Sequence, residues 1–223
     1  MSANGFANAM EHTMNLHKQR GFSLLEMLTV VSIGFIIAGV GFISMMPMLT
    51  KSHITTAYET TLSVLRNTRQ LAITQGHEYI VTFNSAAGTI LVQWQPAAVG
   101  GIYPAVQNVN TYTIPIDTSF SVKTGFPTNT PDGFGTGAKA LDFGYTPVGG
   151  TGGSSSIVFM PDGSARDGTS PSNGGNYSSG VVYMVRPTGT VYDGRAITVW
   201  GATGRIRGWR LDVISSVNTW VQQ

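Results

Sequence analysis

From Met27 to Thr50 the chain carries no Asp, Glu, Lys or Arg, an uncharged run of 24 residues. A helix needs roughly 20 apolar residues to cross a bilayer core, so the pattern predicts a membrane-crossing helix over residues 22–48. Two polar features precede it. Lys18 and Arg20 make a basic lead, and Glu26 places one carboxylate at the head of the apolar stretch. A carboxylate in lipid costs roughly 2.5–3.5 kcal/mol at the bilayer centre and less near an interface. Its presence implies a partner charge, or a position where it reaches the headgroups. Gly34, Gly39, Gly41 and Pro47 are expected to interrupt this helix, because Gly weakens a helix interior and Pro removes a backbone donor.

After Lys51 the apolar residues settle into a helical period. Ile54, Tyr58, Leu62, Leu65 and Ala72 recur at the spacing of one helix face, which predicts an amphipathic arm over residues 49–76 with Gly76 as its stop. From residue 77 the period becomes that of strands. Glu78–Phe83 and Thr89–Trp94 flank Asn84–Gly88 as a hairpin. Further strands are expected at 111–116, 118–123, Ala140–Phe143, Ser156–Met160, Val181–Arg186, Ala196–Trp200 and Arg205–Leu211. Pro161–Ser164 reads as a turn and residues 167–180 as an exposed Gly- and Ser-rich loop. The expected fold class is α+β: a long N-terminal transmembrane and amphipathic helix packed on antiparallel β-sheets, with residues 77–223 as one β-rich domain.

Composition narrows the chemistry. Cysteine is absent, which excludes disulfides, thiolate nucleophiles and Cys-ligated metals, and leaves the compartment open. Charged residues make up only 11% of the chain and the formal net charge is +2, too small to define a partner by itself. The N-terminus is unlike an ordinary secretory signal, whose apolar stretch is ~7–15 residues and is followed by a small-residue cut site. Here the apolar stretch is longer, and the Gly21-Phe22 junction lies before it.

Arg20-Gly21-Phe22-Ser23-Leu24-Leu25-Glu26 and the run that follows closely resemble the class III signal of type IV pilins and pseudopilins. The resemblance implies that residues 1–21 are a leader removed by a prepilin peptidase between Gly21 and Phe22. It also implies that Phe22 is N-methylated and that Glu26 serves assembly. Cleavage would give Phe22 an α-amino group with an ordinary pKa near ~7.7–8.0, and Glu26 of one subunit would pair with that amine in its neighbour. The alternative is a plain membrane anchor whose Glu26 snorkels. Lys18 and Arg20 put residues 1–21 in the cytoplasm by the positive-inside tendency, and everything after Lys51 outside the inner membrane. A start at Met14 would leave an eight-residue leader, which also suits such a signal.

Three stretches are similar to the pseudopilin H/FimT family of minor pilins: Leu65–Ile73 with Tyr79–Phe83, Ile157–Gly163, and Ile197–Val199 with Gly204–Arg207. That resemblance implies a subunit of a type IV pilus or a type II secretion pseudopilus, whose partners are the peptidase, other pilin subunits and inner-membrane lipid. The absence of a C-terminal Cys pair departs from many major pilins.

Catalysis is not expected, and no cofactor or metal is implied. His12 and His17 fall in the leader, and His53 and His77 read as solvated. No metalloprotease, nucleophile-elbow or phosphate-loop motif occurs. The Asp-Gly pairs at 132, 162, 167 and 193 read as turns before they read as calcium ligands. Arg195, Arg205, Arg207 and Arg210 concentrate four arginines within 16 residues. In a strand Arg205, Arg207 and Trp209 share a face, and guanidinium groups beside an indole suit phosphates and an unstacked base. The Gly204-Arg205-Ile206-Arg207 run looks like the GRxR motif of FimT-like minor pilins, implicated in DNA capture, which makes DNA a possible partner of Arg205, Arg207 and Arg210. The alternatives are a solvated strand paired to Asp193 and Asp212, or a surface that docks another minor pilin.

Overall fold

The structure, a computed structural model, describes residues 21–145, 152–167 and 176–223. The chain forms two compact units, residues 1–45 and 46–223, and one helix, α1 (Leu24–Gln75), contributes to both. Contrary to the expected breaks, α1 is continuous through Gly34, Gly39, Gly41 and Pro47. A glycine costs a helix only about 0.5–1 kcal/mol relative to Ala, and Pro47 forfeits one backbone donor in a helix of 52 residues.

In the first unit every side chain described from Gly21 to Phe42 is exposed. The stretch Leu24–Phe42 has a mean hydropathy of 2.1 and is long and apolar enough to cross a membrane. Fully burying one Leu, Ile or Phe is worth about 1.5–3 kcal/mol. A helix that is apolar all round is therefore stable only inside lipid or among other apolar helices.

The second unit begins with the arm, where the predicted stripe is real. Ile54, Tyr58, Leu62, Leu65 and Ala72 are all buried, joined by Ala57 and Val64. Gly76 ends the helix in the left-handed region (φ +70), and its N–H donates to the Ala72 carbonyl at 3.0 Å, closing the last turn.

Among the described residues, ten strands follow in two antiparallel sheets. The first has the order β3 (Gln107–Thr113), β2 (Thr89–Gln95), β1 (Glu78–Asn84), β5 (Ser156–Phe159), β6 (Ala165–Asp167). The second has the order β10 (Val217–Gln222), β9 (Arg205–Ile214), β8 (Arg195–Trp200), β7 (Ser179–Met184), β4 (Leu141–Tyr145). The β1–β2 hairpin is paired from Glu78↔Gln95 to Asn84↔Thr89, as its sequence predicts.

One core joins the arm to both sheets. It holds Tyr58, Leu62 and Leu65 from α1, Val81 and Ile157 from the first sheet, and Val182, Met184, Ile197 and Val199 from the second. A separate cluster lies on the other face of the second sheet, where Val181, Tyr183, Ala196, Leu211 and Trp220 are covered by Val122, Phe126 and Phe134. The sheet is thus buried on both sides, and the Pro- and Gly-rich segment after β3 is a packed layer.

Several boundaries differ from the expectation. The strand expected at 111–116 is β3, which stops at Thr113 because Pro115 has no donor and Ile116-Asp117 turns. No strand forms over 118–123; Ser119 makes an isolated bridge to Val185. β7 starts at Ser179 and β6 occupies Ala165–Asp167, so the expected loop 167–180 is shorter at both ends, and its residues 168–175 lie outside the described residues. β10 was not expected, since Val217–Gln222 shows no clean alternation. β3 is an edge strand with no charged residue, and all but one of its residues are exposed.

Arm and second sheet meet through a glycine. A Cβ on Gly208 of β9 would fall 1.6 Å from the Tyr58 hydroxyl oxygen. Gly208→Ala is therefore expected to destabilise the domain by about 1–3 kcal/mol through overpacking, read as a lower melting temperature. Adding Tyr58→Phe should recover part of the loss; identical melting of the Gly208→Ala and parent proteins would contradict this contact.

Candidate functional site

At the N-terminus, Gly21, Phe22 and Ser23 precede α1 in non-helical backbone, and Phe22 is 74% exposed. The Met27 N–H donates to the Ser23 carbonyl at 3.1 Å, closing the first turn. Glu26 lies in that turn, three residues after Ser23, the Ser-x-x-Glu spacing that favours a helix start. A carboxylate there interacts with the positive end of the helix dipole, typically by 0.3–1 kcal/mol. Glu26 therefore stabilises its own helix in addition to any partner charge, a role that sequence reading overlooked. Lys18, Arg20, His12 and His17 lie outside the described residues.

The C-terminal arginines do not form one site. Arg205, Arg207 and Trp209 do share the outer face of β9, but each has a different fate. Arg207 makes an ion pair with Asp132, Nη1 to Oδ1 at 2.6 Å, and the Asp132 side chain is only 5% exposed. The Thr198 hydroxyl donates to the other Asp132 oxygen at 2.6 Å, and the Trp209 Nε1–H donates to the Thr198 oxygen at 3.0 Å. Asp132 itself has φ +54 inside the 3-10 turn Pro131–Gly133. This network pins the covering segment to the second sheet. Of the two acids expected to pair with the cluster, Asp212 does so, with Arg210 at 3.1 Å, whereas Asp193 pairs with Arg186 at 2.9 Å. Arg210 lies on the opposite face of β9, across from Arg195. Burial pulls the Arg195 guanidinium below its ordinary value, against the opposing pull of Asp193.

Arg205 is exposed, with its guanidinium 5.3 Å from the Trp200 ring centroid. It lines a groove of about 360 Å³ with Arg66 and Arg69 of the arm and Thr203 and Gly204 of the β8–β9 turn. No acid lines this groove. Arg69 is fixed by donating to the carbonyls of Gly163 and Thr203, each at 3.0 Å. Gly204 (φ +58) makes room for that anchor, since a Cβ there would lie 2.0 Å from the Gly163 oxygen. Next to the groove, across Trp200, is a pocket of about 340 Å³ walled by Phe134, Tyr145, Tyr177 and Trp200. Burial, together with the Asp142 carboxylate that accepts its hydroxyl at 2.9 Å, pushes the Tyr145 phenol up to about 12. The arm arginines were missed because Arg66 and Arg69 read as the ordinary polar face of a helix.

The remaining histidines are not simply solvated as expected. His53 Nδ1 lies 2.7 Å from Asp117 Oδ1, and His77 packs on Trp94 with ring centroids 4.9 Å apart.

Comparison with known proteins speaks to the N-terminus. Residues 16–42 match the prokaryotic N-terminal methylation motif. The match is confined to the N-terminus, 27 of 223 residues. No curated protein matches the chain. Among solved structures, the minor pseudopilin EpsH from the type 2 secretion system of Vibrio cholerae matches at 10% identity with a TM-score of 0.41, covering 70% of this chain and 94% of that one. A likeness that distant transfers no residue or role to this chain. The motif ends at Phe42, inside the uncharged run that continues to Thr50.

Within the second unit, the two arginines of the Gly-Arg-Ile-Arg run are expected to separate on mutation. Removing one partner of a buried ion pair costs about 3–5 kcal/mol, and Arg207→Gln should approach the low end because Arg207 keeps 27% exposure. Arg205→Gln should change stability by no more than about 0.5 kcal/mol. Thermal melting of the two variants checks this; equal stability would contradict the assigned roles.

Proposed function

We propose that the chain is a minor pilin of the H/FimT kind, inserted as a single-pass inner-membrane precursor and assembled into a type IV pilus or a type II secretion pseudopilus. Residues 1–21 are the cytoplasmic leader, residues 22–48 the membrane and filament-core helix, residues 49–76 the arm, and residues 77–223 the exported domain. A prepilin peptidase cuts between Gly21 and Phe22 and the new N-terminal residue is methylated. The observation that carries this reading is the methylation motif over residues 16–42 on a helix whose described side chains from Gly21 to Phe42 are all exposed. Two opposite charges in an apolar bundle are each costly alone and tolerable as a pair. The Phe22 amine of one subunit and Glu26 of its neighbour supply such a pair.

Intact mass analysis of protein extracted from membranes of the native host is expected to give a chain that begins with N-methylphenylalanine. Glu26→Val should leave the precursor in the membrane fraction and remove it from sheared filaments. Retention of residues 1–21 would refute the processing, and unchanged incorporation of Glu26→Val would refute the pairing.

A second reading, that the pilin binds DNA, is favoured by the groove in which Arg66, Arg69 and Arg205 converge without an acid, beside an aromatic pocket. Arg205 belongs to this surface, whereas Arg207 and Arg210 are held by Asp132 and Asp212. DNA binding by the full chain should weaken as salt rises, because phosphate contacts release counterions. Arg66→Gln with Arg205→Gln should weaken it in a gel shift at least about ten-fold, and Arg210→Gln much less. Absence of a shift at low salt would end this reading.

A further inference from the structure

A cavity on the second sheet is separate from the arginine groove. It has a volume of about 570 Å³ and lies between the outer face of β9–β10 and the segment 127–133. Small-ligand sites commonly fall in the range of about 300–1,000 Å³. Its walls combine two indoles, Trp209 and Trp220, with the side chains of Thr128, Asn129, Asn218 and Asp132. The register sets Trp220 opposite Leu211 and Trp209 opposite Gln222, so the two indoles are diagonal neighbours on one face.

We infer that this cavity binds a neutral sugar unit of a glycan. Three features of the lining point to that class. No Lys or Arg lines the cavity, and its one carboxylate, Asp132, is already engaged by Arg207 and Thr198. The site therefore offers no net charge to a phosphate or an acidic peptide. The half-buried Trp209 indole supplies a flat apolar surface for the C–H face of a pyranose ring and is fixed by its bond to Thr198, with Trp220, only 8% exposed, as apolar backing in the same wall. The rim supplies groups that both donate and accept, as hydroxyls require. Thr128 and Asn129 are exposed and make no side-chain hydrogen bond among the described residues, and Asn218 donates to the Gly125 carbonyl at 2.8 Å, which leaves its amide oxygen for a ligand.

The cavity is also preformed. Pro127 and Pro131 bracket its loop, the Asp132 network holds one end, and Phe126 sits edge-on to Trp220 with ring centroids 5.0 Å apart. A loop already fixed in place loses little entropy on binding.

The test uses the full chain in a polyoxyethylene detergent, so that no sugar headgroup competes. Glucose, galactose, mannose and N-acetylglucosamine, each as monosaccharide and as trisaccharide, are titrated against indole fluorescence. At least one trisaccharide is expected to give a saturable change with a Kd of about 1 mM or tighter. Asn129→Ala should weaken that binding at least about ten-fold without moving the melting temperature. Trp209→Leu should abolish it, whereas Trp209→Phe, which keeps an aromatic face, should retain part. No response to any sugar would overturn the inference. So would a midpoint unmoved by both Asn129→Ala and Trp209→Leu, or fluorescence that responds only to a single-stranded oligonucleotide or a poly-glutamate peptide.

Discussion

One helix has to satisfy two solvents, and the remainder of the molecule answers to that constraint. Over Leu24–Phe42 α1 is apolar on every side, a composition at ease only in hydrocarbon or among similar helices. After Lys51 the same helix is apolar on one face alone, and that face is buried against two sheets. Register in the first sheet and the close approach at Gly208 both follow from seating the stripe. The first half is a solvent-matching device with a single charged side chain. The second half is the organising element of a globular core.

The sequence exposed these two halves unequally. The uncharged run, the arm stripe, the Gly76 stop and the β1–β2 hairpin were legible because each is a local pattern with a local cause. The ends of the β domain were not. β10 lacks alternation because both of its faces are partly covered, and 118–123 looks like a strand because its apolar residues pack without a ladder. Val122 and Phe126 cover a second cluster from a segment whose Pro and Gly content reads as solvent-facing. Tertiary cover overrode composition there.

The arginine cluster shows the same limit at the level of a site. Alternation correctly placed Arg205, Arg207 and Trp209 on one face, but it does not reveal what lies above that face. Asp132, which neutralises Arg207, belongs to a Pro-Asp-Gly turn more than 70 residues earlier in the chain. Arg66 and Arg69, which join Arg205, come from the arm. A four-residue motif thus divides into a spacer glycine, an exposed cation and a structural clamp, with its solvent-facing charge supplemented from another element.

The rim strand β3 has a consequence for the protein outside its assembly. Sheet edges usually discourage strand addition with lysines, prolines or bulges aimed at the open side. Gln107–Thr113 carries no charge or proline, and it stays solvated on nearly its whole length. A bulge at Val109, between the pairs Val92↔Asn110 and Gln93↔Asn108, is the device present on that border, and it shortens the regular edge open to a copy of the chain to residues 110–113.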